Sequence, residues 1–478
     1  MWNRACFCGR NGDDDAAEQF TRRVKERSPM QFIISTTDEV LIPQAGLGLV
    51  GVLLQDSKLR QRIDALDVEG CTRPEIKHGD VVAAAIGLLC LGKSDFNDIE
   101  MFCDDEFFRQ SLGLRQIPSE PTLRQRLDAM HDICGPILRE ESAWMVRKHA
   151  RKPTPCHGEW VALDVDVSPF DNSNTKKEGV SWTYKKVDGY APIFAYLGEE
   201  GYLVHCQLRE GKQHCQDGTP QFLHEALDYA ERITRAKLLV RLDAGNDDFE
   251  NIRICRKHKA DWIIKRNLRK ESLEDWLEEA QAHGEWEFPR EGKEVYTGET
   301  FRERNGKLYR VVFEVIRRTI TADGQKLLIP DLEVNTWWTS LKLSAKEVIA
   351  LYHAHGTSEQ YHSEIKTDLD LERLPSGKFA TNATILSLGL VAYNVLRLCG
   401  QGALGEQRRL PVEDRAPLGK KVFRRRLRSV IQDLMYLAVK LTRHANRWRL
   451  SFWRNSPWGA TWRRLYARFC GSPIVRSG

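Results

Sequence analysis

Apolar positions in the first third of the chain recur with the period of an α-helix. From about residue 40 to residue 150 they return every three or four positions, which is typical of helices that bury one face. The stretches with the clearest pattern are Asp80–Leu91, Phe96–Phe107 and Pro136–Lys148. We therefore expect a helical N-terminal region.

One further helix is predicted to begin at Ser119. Serine suits the N-cap position, and Pro121 suits the first turn of a helix. The predicted buried stripe consists of Leu123, Leu127 and Met130. Arg124 and Arg126 lie off that stripe, so this helix could read DNA, although a plain bundle helix fits the pattern better.

From Glu159 onwards the pattern changes to that of strands alternating with helices. Short apolar runs predict strands, and a Gly-Glu-Glu-Gly turn at 198–201 joins two of them as a hairpin. The predicted strands are Trp160–Ser168, Ala191–Leu197, Tyr202–Leu208, Lys237–Leu242 and Asp261–Ile264, and the predicted helices are Pro220–Thr234 and Asp247–Lys257. This order predicts an α/β fold in which helices flank a mixed sheet.

A β-rich segment interrupts the α/β pattern between about residues 285 and 340. Asn305-Gly306 and Asp323-Gly324 each lie between strand-like runs, and these dipeptides are strong hairpin signals. The runs beside them are Leu308–Ile316 and Leu327–Val334. A helical pattern resumes at Ser344 and continues towards Leu371, so the segment is predicted to be a small β module inserted into the α/β domain.

These patterns divide the chain into six predicted segments. They are a mobile leader at 1–29, a helical N-terminal domain at 30–150, the first part of the α/β domain at 155–284, the β-rich insertion at 285–340, the second part of the α/β domain at 341–400, and a basic, tryptophan-rich helical region at 401–478. The leader is rich in turn-forming and acidic residues, and no function is predicted for it.

Composition narrows the class of protein. Hydrophobic residues at 41% and charged residues at 29% are near globular averages, which argues against disordered, collagen-like and coiled-coil chains. No apolar run approaches the roughly 20 residues of a membrane helix, and the polar first 30 residues do not resemble a signal peptide. Twelve cysteines without a close framework indicate reduced thiols, so we expect a cytoplasmic protein of several domains.

The charge distribution is strongly asymmetric. The 478 residues carry a net charge of +5, yet 17 Lys/Arg and only four Asp/Glu lie between Gly405 and Cys470. A basic block on an acidic body indicates an anionic polymer as partner, with a membrane surface or a merely solvated helix face as alternatives. The segment Lys420–Arg449 is predicted to be helical and to dock through an apolar stripe, which would leave four cations partly free to face outwards. The stripe consists of Val430, Ile431, Leu434, Leu437 and Leu441, and the four cations are Arg424, Arg425, Arg428 and Lys440.

Two acids share one face of the first long strand. In Leu163–Ser168, a period of two directs Asp164 and Asp166 to the same side, where uncompensated carboxylates would be costly. Asp243 follows a second apolar strand, and open α/β sheets place their sites at the carboxyl ends of strands. A single such acid is more often a turn or cap residue, but the combination favours a site for a hard cation.

A third acid lies on the helix predicted after the insertion. At about 100° per residue, Tyr352, His355 and Lys366 fall within about 40° of Glu359, whereas Glu364 points elsewhere. A solvated helix face rarely gathers an acid, an imidazole, a phenol and an ammonium in this way. The helix therefore adds a candidate carboxylate to those of the two strands.

Three carboxylates from two strands and a helix suit Mg²⁺ or Mn²⁺, which prefer oxygen ligands. A pair of such ions activates the attacking oxygen and stabilises the leaving oxygen in phosphodiester displacement. Zinc is a poorer match, because the suggestive pairs His205-Cys206 and His214-Cys215 lie on or beside a single strand.

In this order, with a β insertion before the glutamate, Asp166, Asp243 and Glu359 resemble the acids of a DDE transposase on a ribonuclease H-like fold. More narrowly, the chain resembles bacterial insertion-sequence transposases of family 1380, within a group-four-like clan. The resemblance covers roughly residues 30–470 and is carried by 171–180 (DNSNTKKEGV), 188–192 (DGYAP), 241–247 (RLDAGND), 355–360 (HGTSEQ), 369–377 (LDLERLPSG) and 424–428 (RRRLR). His355 stands where the clan has arginine, and Asp164 is an alternative first acid, although the clan's Asp-x-Ser/Thr form favours Asp166.

The resemblance implies cleavage of DNA at insertion-sequence ends and strand transfer by direct transesterification, in the cut-and-paste manner. Asp166, Asp243 and Glu359 would be the catalytic residues and would hold two ions of Mg²⁺ or Mn²⁺. The residues expected to contact DNA are Tyr352, His355, Lys366, Lys176, Lys177, Arg424, Arg425 and Arg428. Trp337 and Trp338 could stack an unpaired base, and a place in the core is at least as good an interpretation.

The expected partner is double-stranded DNA, as transposon ends and as target, with a homodimer in the synaptic complex, no membrane and no nucleotide cofactor. The helical N-terminal domain is a candidate for DNA binding or dimerisation, and the expected location is the bacterial cytoplasm in association with the nucleoid. Two alternatives stay open: a nuclease or resolvase of the same fold that only hydrolyses DNA, and a non-catalytic DNA-binding protein derived from a transposase.

Overall fold

The computed structural model describes residues 34–71, 74–131, 133–304, 306–417, 422–445 and 447–471. Leu41–Gly478 form one compact unit, and Met1–Val40 are a separate unit of which residues 34–40 are described. The predicted leader at 1–29 therefore lies outside the described residues. Within the larger unit, one hydrophobic core runs from the N-terminal helices through the sheet to the C-terminal helices.

Helices dominate the chain up to residue 150, as the apolar periodicity predicts. Leu123, Leu127 and Met130 are only 2%, 1% and 0% exposed, which confirms the predicted stripe of the helix after Ser119. The elements of this region are strand β1 (Val40–Ile42), helices α1 (Leu47–Asp56), α2 (Leu59–Asp64) and α3 (His78–Cys90), a 3₁₀ helix (Phe96–Phe102), and helices α4 (Glu106–Ser111), α5 (Glu120–Ala129) and α6 (Gly135–His149).

A nine-stranded mixed sheet forms the centre of the larger unit, which confirms the predicted α/β class. Its first strands are β2 (Trp160–Val167), β6 (Ile193–Leu197), β7 (Tyr202–Gln207), β8 (Lys237–Leu242) and β9 (Asp261–Lys265). β2 pairs antiparallel with β6 and parallel with β8, β6 pairs antiparallel with β7, and β8 pairs parallel with β9. Helices α7 (Thr219–Ile233) and α8 (Phe249–Lys257) pack against this part of the sheet.

Between β2 and β6 the chain forms a small separate sheet. Its strands are β3 (Phe170–Asp171), β4 (Ser181–Trp182) and β5 (Asp188–Tyr190), and β5 lies between the other two. Gly189 of β5 has no room for a side chain, because a Cβ there would lie 1.9 Å from the carbonyl oxygen of Phe170. This motif places residues 171–180 directly after the strand that carries Asp166.

The β-rich insertion extends the main sheet. After helix α9 (Leu273–His283), the strands β10 (Glu285–Arg290), β11 (Lys293–Arg304), β12 (Lys307–Ile320) and β13 (Lys326–Thr339) pair in antiparallel order, and β13 joins β9. Gly306 and Gly324 adopt positive φ angles of 71° and 83° at the two hairpin turns. The β structure predicted for the insertion is present, and its strands continue the central sheet rather than forming a sheet of their own.

The segment after the insertion departs from the predicted single helix. Ser344 caps α10 (Ala345–His353) in a capping box with Glu347, but a 3₁₀ turn (Ala354–Thr357) follows, then α11 (Ser358–Ser363) and a π-helical turn (Glu364–Asp368). A rotation of 100° per residue does not hold across these junctions. The predicted common face of residues 352, 355, 359 and 366 is therefore wrong, and each side chain has its own environment.

Helix α12 (Phe379–Gln407) is the central helix of the larger unit. It is long and apolar enough to cross a membrane by length and composition, but 94% of its most apolar 18-residue window is buried inside the protein. It packs against α3, α6 and β7, and so joins the N-terminal helices to the sheet. Its apolar character on all sides is explained by this position.

The basic C-terminal region is not the continuous helix that was predicted for Lys420–Arg449. It contains α13 (Leu427–Val430), a π-helical turn (Ile431–Met435), an antiparallel hairpin of β14 (Val439–His444) and β15 (Arg447–Phe452), and α14 (Gly459–Phe469). Val430, Ile431 and Leu434 are buried as the proposed stripe requires, whereas Leu441 is buried from a strand. Helical spacing and strand alternation coincide over such a short apolar run, so the pattern could not separate them.

Candidate active site

Asp166 and Asp243 lie at the carboxyl ends of two neighbouring parallel strands. Val165 of β2 is in register with Leu242 of β8, so the next residue of each strand is one of the two acids. Burial, followed by the negative charge of Asp166, raises the pKa of Asp243. The two carboxylates that the sequence predicted to act together are thus close enough to repel each other.

His362 holds the carboxylate of Asp166. Its Nε2 lies 3.1 Å from Asp166 Oδ2, and its Nδ1 lies 3.1 Å from the hydroxyl of Tyr196. In a neutral imidazole this arrangement is satisfied when Tyr196 donates to Nδ1 and Nε2 donates to the carboxylate. Burial acts to raise the pKa of Asp166, but the hydrogen bond from His362 outweighs it and leaves the pKa lowered.

The sequence interpretation missed His362. Its imidazole is buried, and it lies three residues after Glu359 on α11. His362 could have been predicted because it lies one helical turn from a candidate metal ligand. Carboxylate ligands are commonly fixed by hydrogen bonds from further side chains of this kind.

Asp164 makes a buried ion pair. Arg241 donates from Nε to Oδ1 at 2.5 Å and from Nη2 to Oδ2 at 2.7 Å, and its Nη1 donates to the carbonyl of Leu351. His355 Nδ1 also lies 3.1 Å from Asp164 Oδ1, at an angle that does not make a hydrogen bond. Burial opposes the charged form, but Arg241 and His355 lower the pKa of Asp164 to about 2. Both carboxylate oxygens therefore already have partners.

The structure separates the residues that were expected to surround Glu359. Glu359 is exposed and makes no hydrogen bond or ion pair with the described residues. His355 is buried beside Asp164, whereas Tyr352 is half-buried, with its ring 5.5 Å from that of Trp337. Burial, and then the charges of Asp243 and Asp166, raise the pKa of Tyr352, which places this phenol near both acids.

Lys366 is anchored beside β2. Its ammonium donates to the carbonyl of Pro169 at 2.5 Å and lies 5.6 Å from the centre of the Phe170 ring. Burial lowers its pKa. Glu364, on the same π-helical turn, is buried in the core, where Arg397 and Arg424 pair with it.

The other predicted DNA contacts fall into exposed and internal groups. Lys176 and Arg428 are exposed. Lys177 donates to Asn172 Oδ1 at 3.3 Å and to the carbonyl of Leu374, so it also ties the segment 171–180 to Leu374. Arg424 donates to Glu364 at 2.7 Å and to Gln360 at 2.9 Å, and is largely enclosed.

Arg425 is a correction to the predicted phosphate contacts. It is 5% exposed, pairs with Asp433, and lies 4.1 Å from the centre of the Trp458 ring. Three consecutive arginines in the sequence suggested a uniform cationic surface. In the fold the middle one points inwards, towards Asp433 and Trp458.

The two tryptophans of the insertion lie in the core, which is one of the two interpretations that the sequence left open. Trp337 and Trp338 are 0% and 2% exposed, so in this structure neither indole is available to stack a base. Trp338 donates its Nε1–H to Asp247 at 2.9 Å, four residues after Asp243. These indoles instead fix the junction of the insertion with β9.

The arginines of α5 make local contacts. Arg124 pairs with Glu120 and lies 5.2 Å from the centre of the Phe96 ring, and Arg126 Nη1 is 3.3 Å from His78 Nδ1. The bundle-helix interpretation favoured by the sequence agrees with these contacts.

Two further residues beside the acids escaped the sequence interpretation. Tyr184 donates its hydroxyl to the carbonyl of Val167, the residue after Asp166, at 3.0 Å. The thiol of Cys215 contacts the carbonyl of Gly245 at 2.9 Å, and burial followed by the charge of Asp243 raises its pKa. Both come from loops far from the strands in sequence, so spacing gave no signal.

The predicted acids are not collapsed into a tight cluster. Among the described residues, such a cluster is formed by His224, Asp228 and His258, on α7 and at the end of α8. The potential ligand atoms of these three side chains all lie within 4.8 Å of one another. That group contains none of the predicted acids. The donor atoms of Asp166, Asp243 and Glu359 are therefore not all within 4.8 Å of one another.

Comparison with known proteins gives a match over nearly the whole chain. The sequence model of the family described as "Transposase DDE domain group 1" matches residues 35–472. Among solved structures, the chain is similar to the cryo-EM structure of the piggyBac transposase synaptic complex with hairpin DNA, with 9% identity and a TM-score of 0.40 over 91% of this chain and 83% of that chain. No curated protein sequence matches.

Proposed function

The chain belongs to the transposase DDE domain group 1 family, and we propose that it is a DNA transposase that cuts DNA at the ends of its insertion sequence and joins them to target DNA. Asp166, Asp243 and Glu359 are its catalytic acids. The observation that carries this assignment is the pair of neighbouring, half-buried carboxylates at the ends of β2 and β8, where burial and then the charge of Asp166 raise the pKa of Asp243. The narrower likeness to insertion-sequence family 1380 is part of the proposal.

The acid pair fits a divalent cation. Two neighbouring, half-buried carboxylates that repel each other are unfavourable together unless a positive charge lies between them. Oxygen donors of this kind suit Mg²⁺ or Mn²⁺, and two such ions supply Lewis-acid stabilisation of the attacking and leaving oxygens. Glu359 has no competing partner among the described residues, so its recruitment breaks no existing contact.

Asp166 is a better first acid than Asp164. Both oxygens of Asp164 accept hydrogen bonds from Arg241, whereas Asp166 is held at one oxygen by His362. Its Oδ1 accepts only from the adjacent backbone N–H of Val167. Asp166 can therefore bind a cation while His362 keeps its carboxylate oriented.

The order of the strands supports a ribonuclease H-like catalytic domain. The sheet contains three antiparallel strands, β7, β6 and β2, followed by β8 and β9, which run parallel to β2. In this arrangement the acids stand at the carboxyl ends of the central strands β2 and β8, and the insertion extends the sheet beyond β9.

Double-stranded DNA is the proposed substrate and target. Lys176 and Arg428 present exposed cations, and Tyr352, His355 and Lys366 line the neighbourhood of the acids. Hydrogen bonds and cations of this kind position phosphates without reading sequence. A homodimer that holds both ends is part of the proposal, as is direct transesterification without a covalent protein–DNA intermediate.

Cleavage and strand transfer on labelled duplexes test the proposal. The duplexes carry the genomic ends that flank the gene, and reactions contain Mg²⁺, Mn²⁺ or EDTA. We expect Asp166→Asn, Asp243→Asn and Glu359→Gln each to abolish cleavage in either metal while retaining duplex binding. Asp248→Asn is the matched control, because asparagine keeps the N-cap bond that Asp248 makes to Glu250 and leaves the acids untouched.

Other outcomes would identify the alternative functions. Nicking without joined products would indicate a nuclease or resolvase that only hydrolyses DNA. Tight binding of flanking inverted repeats without metal-dependent cleavage would indicate a non-catalytic DNA-binding protein. Cleavage that survives all three acid substitutions would refute the assignment of the site.

A further inference from the structure

A second group of metal-ligating side chains lies on helices α7 and α8. His224 and Asp228 are one helical turn apart on α7, and His258 follows the last residue of α8. His224 Nδ1 lies 2.5 Å from His258 Nε2 and 3.9 Å from Asp228 Oδ2. Two packed helices thus direct two imidazoles and a carboxylate to one point.

The hydrogen bonds of His258 prepare it to bind a metal. Its Nδ1 lies 2.8 Å from Glu231 Oε1, so it donates its proton to that carboxylate and leaves the lone pair of Nε2 facing His224. A carboxylate behind the second ring nitrogen is the usual partner of a metal-bound histidine, because it fixes the tautomer and increases the basicity of the ligand. Glu231 lies on α7, so the same helix supplies this support.

We propose that His224 Nδ1, His258 Nε2 and the carboxylate of Asp228 form a site for a divalent transition-metal ion, with Zn²⁺ as the best match. Imidazole ligands select Zn²⁺ and its neighbours over Mg²⁺, and two imidazoles with a carboxylate are an established zinc donor set. The site links α7 to α8, the helices that precede and follow β8 and Asp243 in the chain. It uses none of the acids assigned to DNA cleavage.

Binding requires only side-chain movement. Zn–N bonds of about 2.0–2.1 Å place two ligand nitrogens about 3.3 Å apart in a tetrahedral site, so the imidazoles must separate slightly. The side chains of His224 and Asp228 are 28% and 47% exposed, which leaves room for this shift and for water as the fourth ligand.

Lys257 opposes the metal and thereby provides a sensitive test. Its ammonium lies 3.3 Å from His224 Nε2. When His224 ligates through Nδ1, Nε2 carries the proton, and the lysine loses this acceptor and adds a positive charge beside the ion. Lys257 is exposed and can turn away, at a cost in affinity. Replacing it with glutamine should therefore strengthen binding.

Metal titration of the full chain tests the site. Zn²⁺ is titrated against a chromophoric chelator with Mg²⁺ in excess, and Co²⁺ absorption reports the ligand type. We expect the unaltered chain to bind one Zn²⁺ ion, and His224→Ala and Asp228→Asn to lose it. In Glu231→Ala the affinity for Zn²⁺ should fall about 10–100-fold. Lys257→Gln should bind more tightly than the unaltered chain, and His444→Ala, which removes an exposed histidine of β14, should bind normally.

The outcomes separate this site from the cysteines and from the acids. A thermal melt of each variant without metal shows whether it is folded. If a histidine variant does not fold, Asp228→Asn takes its place as the test of the site. A sulfur-to-cobalt charge-transfer band, or a stoichiometry that none of these substitutions changes, would overturn the proposal. So would loss of the tight ion in Asp166→Asn, because that result would place Zn²⁺ among the cleavage acids.

Discussion

Replacing Arg241 with methionine should destabilise the protein strongly without removing a metal ligand. Asp164 is 2% exposed, and Arg241 supplies both of its hydrogen bonds. The substitution keeps the length of the side chain but leaves a buried carboxylate without its cation. His355, at 3.1 Å, replaces only part of that interaction.

The magnitude follows from the burial of the pair. Breaking a buried ion pair from one side costs about 3–5 kcal/mol. A carboxyl pKa lowered to about 2 is consistent with this, because it corresponds to about 2 kcal/mol in favour of the charged form. With an unfolding entropy of about 2 cal/mol/K per residue over 478 residues, 3–5 kcal/mol lowers Tm by about 3–5 °C.

Thermal unfolding and DNA cleavage should be measured on Arg241→Met, Asp164→Leu and the double variant. The double variant removes both charges, so we expect it to recover most of the Tm that either single variant loses. Because Asp166 is the proposed ligand, the double variant should also retain metal-dependent cleavage. A double variant as unstable as the single ones would refute the coupling, and a stable but inactive one would make Asp164 the metal ligand.

The pH dependence has a defined sign. The pKa of Asp164 is lower in the folded protein than its ordinary value of 3.8, so its contribution to stability is present above about pH 4 and is lost as the pH falls towards 2. The difference in Tm between the unaltered chain and Arg241→Met should therefore be largest above pH 4 and should shrink in acid. A constant difference would show that packing, and not charge, causes the loss.

Three further predictions concern the site and the basic region. His362→Ala should raise the Mn²⁺ concentration needed for half-maximal cleavage by about 10–100-fold, and an unchanged metal requirement would show that His362 does not orient Asp166. Arg447→Ala and Arg449→Ala, both exposed on β15, should each reduce the salt slope of duplex binding by about 0.9, and an unchanged slope would exclude phosphate contacts there. Arg425→Ala should instead lower Tm and leave the slope unchanged, because Arg425 is buried against Asp433; a shallower slope would restore it as a phosphate contact.

Local patterns determined most of the secondary structure. The strand predicted at Lys237–Leu242 has those bounds in the structure, and the Asp323-Gly324 turn lies between β12 and β13 as predicted. Such features depend on residues that are neighbours in the chain, and a run of apolar residues ended by a turn signal reports them directly. The acids at the strand ends could be predicted for the same reason, because the direction of a strand and the alternation of its side chains fix where these acids point.

Interactions between distant segments could not be obtained in this way. Tyr196 reaches His362 across 166 positions, and Arg241 reaches Asp164 across 77, so no spacing rule connects them. The same holds for Arg425, whose inward direction depends on Trp458 and Asp433.

The sequence by itself determined the class of fold, the β insertion and three candidate acids, because each rests on a local period or turn. Only the tertiary structure decided which cations face outwards, that the tryptophans of the insertion are core residues, and that the segment bearing Glu359 is broken by 3₁₀ and π turns. Those outcomes depend on the free energy of burying a charge or an indole against a particular partner, and that partner is known only when the chain has folded.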